Sequence, residues 1–338
     1  MDSVSQFVLG ASLSAFVLGA RTPVRRSLLW GGIVATLPDL DVLVDHGDAI
    51  ANMTMHRAES HALLYLTALA PLLAFGIARL HGERALFGRW CVAVWLALVT
   101  HPLLDAMTIY GTQLLLPFTD HPFAVGSLFV IDPLYTLPLL VGCAWLWGGR
   151  GSRRAHRANA VGLVLSTLYA GWSVVAQGLV ERVVRAQLPV PAAEVQHVVV
   201  TPAPLQTVLW RVLVVTEREA HEGFRSLLDG ASPIVWTSIP RGCEWFEPLR
   251  RVPSFERLRR FSGDCVKVER AASGLQAIDL RMGQEPHYVF RFDVAQLAAD
   301  GGLVPVAAPQ RIGTRIPVGE GLAWLWARLF DPAVPTPR

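Results

Sequence analysis

Trp90-Cys91-Val92-Ala93-Val94-Trp95-Leu96-Ala97-Leu98-Val99-Thr100-His101-Pro102-Leu103-Leu104-Asp105-Ala106-Met107 is an apolar run broken only towards its end, by Thr100, His101 and Asp105. Its length approaches the ~20 residues that a helix needs to cross the hydrocarbon core of a bilayer. His101 and Asp105 stand four apart, which stacks both side chains on one side of that helix. Ionisable groups in such a segment are costly unless they pair, hold a metal or line a water-filled cavity, so this pair marks a functional site.

Working outward, residues 61–80, 126–147 and 158–180 form three further apolar runs, and residues 4–20 and 27–44 form two that are shorter or carry acids at one end, each a full span or a partly inserted helix, so six spans are expected with four as a floor. In 338 residues, 52% are hydrophobic, above the usual share for a soluble globular chain. The excess lies in the first half. Asp2 replaces the positive start of a secretory signal, and no small-residue cleavage site follows Arg21, so the first run is expected to be retained. Arginines gather in the turns after the first, third and fifth runs: Arg21, Arg25 and Arg26; Arg79, Arg84 and Arg89; Arg150, Arg153, Arg154 and Arg157. With six spans these turns share one side, which the positive-inside rule makes cytoplasmic, and the termini face outward.

The acids and histidines fall in the opposite turns. Pro38-Asp39-Leu40-Asp41 closes the second run, His56-Arg57-Ala58-Glu59-Ser60-His61 opens the third, and Ile131-Asp132-Pro133 lies in the fifth. Asp39, Asp41, His56, His61, His101 and Asp105 are therefore candidate metal ligands at the outward end of the bundle. Imidazole and carboxylate without thiolate suit a divalent metal, zinc first, with manganese or iron behind. Six ligands exceed one tetrahedral ion, so either two ions bind or some residues orient the others. Asp105 or Asp41 is the expected catalytic base. Arg57, Tyr110 and Asp132 are candidates for supporting or substrate contacts, although Asp132 before Pro133 also fits a helix cap.

This ordered series resembles the bacterial YdjM/YbcI family of inner-membrane metal-dependent hydrolases. It comprises Met1-Asp2-Ser3, Leu37-Pro38-Asp39-Leu40-Asp41, His56-Arg57 to His61, Thr100-His101-Pro102-Leu103-Leu104-Asp105, Tyr110-Gly111-Thr112-Gln113 and Ile131-Asp132-Pro133-Leu134-Tyr135. The likeness covers about residues 1–145, and the whole chain is similar to the long members with a soluble carboxy-terminal part. It implies a bacterial inner-membrane location, a helical hydrolase core of the zinc-dependent phospholipase C type, phosphoester chemistry, and the same six ligands. Two departures stand out: Gln6, where many relatives carry His, and Glu59-Ser60 after the His-Arg-Ala sequence.

The remaining sequence differs in kind. Prolines 189, 191, 202 and 204 punctuate a connection, and the expected division is a transmembrane helical domain at 1–185, a linker at 186–200 and a smaller soluble α+β domain at 201–338 on the non-cytoplasmic side. Residues 209–215 and 288–292 read as strands, 255–261 as a short helix and 320–330 as an amphipathic helix with Trp324 and Trp326. His197, His221 and His287 are scattered and read as surface residues. Cys243 and Cys265 could pair in an oxidising compartment.

A net charge of +3, carried by arginine with Lys267 the single lysine, gives no dense basic patch and argues against nucleic acid. The expected partner is the lipid bilayer. The leading expectation is a membrane-embedded metal hydrolase of a lipid or envelope ester. The alternative is a non-enzymatic metalloprotein, a transporter or scaffold, although transport favours ionisable groups at the bilayer midplane and here they cluster at one end.

Overall fold

The computed structural model describes residues 1–149, 151–272, 274–298 and 302–337, so Arg150 lies outside the described residues. Its helices are α1 (Ser3–Leu18), α2 (Val24–Thr36), α3 (Ala49–Met55), α4 (Leu63–Leu80), α5 (Phe87–Ala106), α6 (Pro133–Gly148), α7 (Arg153–Ala186), α8 (Phe246–Leu249), α9 (Pro253–Phe261) and α10 (Val318–Phe330). Contacts divide the chain into two compact units. The first is Met1–Leu43, Arg57–Val174 and Pro204–Gln206; the second is Val44–His56, Val175–Ala203 and Thr207–Arg338.

In the first unit Asp2 caps α1 by accepting bonds from the Val4 and Ser5 amides, and Asp132 caps α6 in the same way with Pro133 in the first turn. Helices α1 and α2 pack backbone to backbone. A Cβ at Gly10 or Gly31 would collide with the facing helix, so glycine permits this approach, as small residues do in membrane bundles. Trp90, Ala93, Val94, Ala97 and Leu98 of α5 and Ala70, Ala74 and Ile77 of α4 fill a core with Leu18, Val34 and Ala35.

Among the described residues four helical stretches are long and apolar enough to cross a membrane: Ser3–Arg21, Leu63–Leu80, Arg84–Ala106 and Arg153–Ala186. Two of the six expected runs are shorter as helices. Helix α2 stops at Thr36, just before Pro38 opens a 3-10 turn at Pro38–Leu43, and α6 begins only at Pro133. The run at 158–180 lies inside the longer α7 of 34 residues.

The turns that follow α1, α4 and α6 meet at one end. Glu83 accepts bonds from Thr22 Oγ1 (2.6 Å), Trp90 Nε1 (2.9 Å) and Arg26 Nη1, the Arg25 guanidinium lies 4.9 Å from the Trp147 ring, and Gly151 packs on Val24. The histidines and aspartates occupy the other end.

Among its described residues the second unit contains ten strands: β1 (His197–Pro202), β2 (Leu209–Val215), β3 (Glu219–Ser226), β4 (Thr237–Pro240), β5 (Val266–Ala271), β6 (Gly274–Asp279), β7 (Gly283–Gln284), β8 (His287–Tyr288), β9 (Arg291–Leu297) and β10 (Leu303–Pro305). They form two four-stranded antiparallel sheets, ordered β1-β2-β3-β4 and β10-β9-β6-β5, and the hairpin β7-β8. Every residue of β2 is buried. Trp210, Val212 and Val214 pack with Ala176, Val180 and Val184 of α7, while Leu213 and Val215 pack with Ile278, Leu280 and Tyr288. Arg211 survives there because Glu222 lies 2.6 Å away.

The α+β expectation therefore holds, and β2 coincides with the strand read at 209–215. The strand read at 288–292 is split: Tyr288 pairs with Gly283, and the ladder resumes at Arg291 against Ile278. His221 is buried, not superficial, with its Nδ1 2.9 Å from Ser238 Oγ. Cys243 and Cys265 are both free thiols.

Candidate metal centre

The chain delivers the site from three places in the first unit. Pro38 ends the α2 path and turns Asp39 and Asp41 into the 3-10 segment; the 3-10 turn Glu59–His61 presents His61 just ahead of α4; and α5 supplies His101 and Asp105 one turn apart. Asp39, His61, His101 and Asp105 each offer one ligand atom, all within 4.8 Å of one another, and His61, His101 and Asp105 are fully buried.

The edges of this group are regular. His61 Nε2 is 3.1 Å from His101 Nε2; Asp39 Oδ1 is 3.7 Å and 3.3 Å from those two atoms, and Asp105 Oδ2 is 3.3 Å and 3.4 Å from them. Ligands at zinc distances of ~2.0–2.1 Å in a tetrahedral array stand about 3.3 Å apart, so the spacing suits one small ion.

Proton positions reinforce that fit. His101 Nδ1 lies 2.6 Å from the Ala35 carbonyl, which only accepts, so Nδ1 donates and Nε2 carries a lone pair. Ser60 Oγ donates to Asp41 Oδ2 (2.6 Å) and therefore accepts from His61 Nδ1 (2.8 Å), leaving a second lone pair on His61 Nε2. Two lone pairs and two carboxylate oxygens converging in a buried space require a cation or a proton between them.

Asp105 is held from behind. Its Oδ1 accepts from Gln6 Nε2 (3.1 Å) and from the Met1 amino group, and Arg57 Nε stands 3.2 Å from Oδ2. Arg57 is buried with φ +66°, a left-handed conformation that a non-glycine residue adopts only when its surroundings hold it there. Asp41 Oδ2 accepts its amide (2.9 Å), Gln113 donates to its carbonyl (2.9 Å), Nη1 reaches Thr108 Oγ1 (3.2 Å), and the guanidinium stacks 4.8 Å from the Tyr110 ring.

Of the six ligands read from the sequence, four come together. Asp41 stands one step back, steering His61 through Ser60 and gripping the Arg57 amide. His56 ends α3 and belongs to the second unit. Tyr110 touches the site through Arg57, and Asp132 is the α6 cap, its Oδ2 accepting from Tyr169 Oη (2.9 Å). Sequence reading missed the parts played by Ser60, Thr108 and the Ala35 carbonyl; Gln6 was visible only as a departure from a histidine pattern.

A family model described as YdjM inner membrane protein matches residues 1–180. The chain belongs to the YdjM inner membrane protein family. Two relatives match different shares of it. The inner membrane protein YbcI of Escherichia coli strain K12 is 32% identical over 143 residues, which are 38% of this chain and 82% of YbcI. The uncharacterized protein YfhP of Bacillus subtilis strain 168 is 23% identical over 310 residues, 86% of this chain and 89% of YfhP. No solved structure matches. The YdjM match takes in all four clustered residues and the whole of the Arg57 surroundings, and it places the chain in a family of bacterial inner membrane proteins.

Proposed function

We propose that this YdjM-family chain is a metal-dependent hydrolase acting at the membrane on an ester or phosphoester of a lipid or envelope substrate. The observation that carries the reading is the buried convergence of Asp39, His61, His101 and Asp105. Asp39, His61 and His101 would hold the ion, zinc by donor set, and when bound it supplies Lewis acidity and a water acidified toward pKa ~7. Asp105 Oδ2 is the base candidate in reach. Gln6 and Arg57 fix its orientation. Asp41, already engaged by Ser60 and the Arg57 amide, is better suited to hold His61 than to move a proton. The arginine turns argue that the site faces away from the cytoplasm with six spans crossing.

One observation favours a second reading, a metalloprotein without turnover. Asp105 Oδ2 fills the fourth vertex of the group, and four protein ligands make the closed kind of zinc site that is commonly structural.

The experiment is metal analysis of the purified chain and of His101→Ala, followed by headgroup or phosphate release from lipid phosphoesters by wild type and Asp105→Asn. Stoichiometric metal with turnover that Asp105→Asn abolishes while keeping its metal supports the hydrolase. Metal without turnover supports the second reading. Absence of metal from the wild type overturns both.

A further inference from the structure

Helix α10 carries two apolar faces, and the fold uses one. Trp324 packs edge-on against Phe224 with ring centroids 4.8 Å apart, Arg328 is buried in an ion pair with Asp229 (3.0 Å), and Ser226 Oγ donates to the Leu329 carbonyl (2.8 Å). That seats the helix firmly on β3. On the other side Val318, Leu322, Trp326 and Phe330 recur every four residues, forming one stripe along the whole helix, and they are 77%, 47%, 71% and 59% exposed. The Trp326 and Phe330 rings touch at 5.3 Å. Ala323 and Ala327 extend the same surface, Glu320 in the first turn lies off the stripe, two residues from Val318, and Arg328 points inward.

A stripe of this kind in water is an interaction surface. Three features decide its occupant. The second unit begins within α7, a helix apolar enough to cross a membrane, so a bilayer is covalently within reach. The bulky residues are Trp and Phe beside aliphatics, the set that partitions to the lipid interface. Arg311 and Arg315, both exposed, precede the helix and suit anionic headgroups. We propose that α10 lies in the membrane surface with Val318, Leu322, Trp326 and Phe330 immersed among lipid chains, and that it docks the second unit onto the bilayer.

The test uses the full chain in vesicles of phosphatidylethanolamine and phosphatidylglycerol, with a photoreactive benzoylphenylalanine in place of Trp326 or, as control, of Glu320. Both positions are on the surface, so the fold is spared, and intact mass reads the product. A phospholipid adduct at position 326 several-fold more abundant than at 320, and reduced when Arg311→Gln and Arg315→Gln are combined, is the expected result. A doubled mass, which would mean that a second copy covers the stripe, overturns the proposal. So does an adduct to another protein, or equal lipid labelling at both positions.

Discussion

His61 Nε2 and His101 Nε2 face each other across 3.1 Å, and each ring spends its Nδ1 proton on an acceptor outside the centre, His61 on Ser60 and His101 on the Ala35 carbonyl. With both rings neutral, neither donates to the other. That mutual exclusion, more than the number of acids nearby, points to a cation. Removing either ring should lower bound metal from stoichiometric to background, and wild type treated with a strong chelator should melt at a lower temperature while His101→Ala shows no further chelator response. Metal analysis and thermal unfolding in detergent check both.

The Asp41 to Ser60 to His61 relay predicts a graded effect. Ser60→Ala leaves the ligands in place but frees the His61 ring, and metal affinity should fall by about 10–100-fold, the usual effect of losing an orienting partner. Asp41→Asn should fall in the same range. Because the two act as one relay, the double variant should be little worse than either alone, as chelator competition would read.

Arg57 separates backbone strain from charge. Loss of its guanidinium leaves Asp105 buried with one fewer cation, at a cost of about 3–5 kcal/mol. Arg57→Gly and Arg57→Ala share that loss, but only glycine is at ease at φ +66°, so Arg57→Gly should be the more stable by about 1 kcal/mol. Denaturation of both variants under one set of conditions measures the difference.

At the opposite end Glu83 predicts an acid response. Burial would raise its carboxyl, but the bonds from Thr22, Trp90 and Arg26 outweigh it and hold the group below its ordinary value. A depressed carboxyl contributes stability that is present above the unfolded value near ~4.3 and is lost as pH falls through the folded one. Wild type should therefore lose melting temperature below about pH 4.5, whereas Glu83→Gln should start lower and change less, as a pH series of melting curves would show.

In the second unit burial pushes the Cys265 thiol up to about 11. A raised thiol contributes stability that is complete below the unfolded value near ~8.5 and is lost as pH climbs to the folded one, a span worth about 3 kcal/mol. Cys265→Ala should make the alkaline slope shallower. Alkylation at pH 8 should modify Cys265 only on unfolding.

The legible part of this protein lay in periodicities. The i, i+4 spacing of His101 and Asp105 and the Pro38-Asp39 break after an apolar run announced their side chains locally, and β2 announced itself by its aromatic and β-branched residues. Relations set by tertiary packing stayed hidden. Nothing near Asp41 says that Ser60 will stand between it and His61, and nothing near His56 says that residues 44–56 group with the second unit. The strand read at 288–292 failed because its residues answer to two different partners.

Helices α1 and α2 form one hairpin and α4 and α5 another, the first bringing Asp39 and the second both histidines and Asp105. A growing chain emerges in that order. Asp39 comes with the first hairpin and three donors with the second, so the four-ligand site closes only when both hairpins are in place. A captured ion would rivet one hairpin to the next, and its presence in the protein would be a record that the two had met.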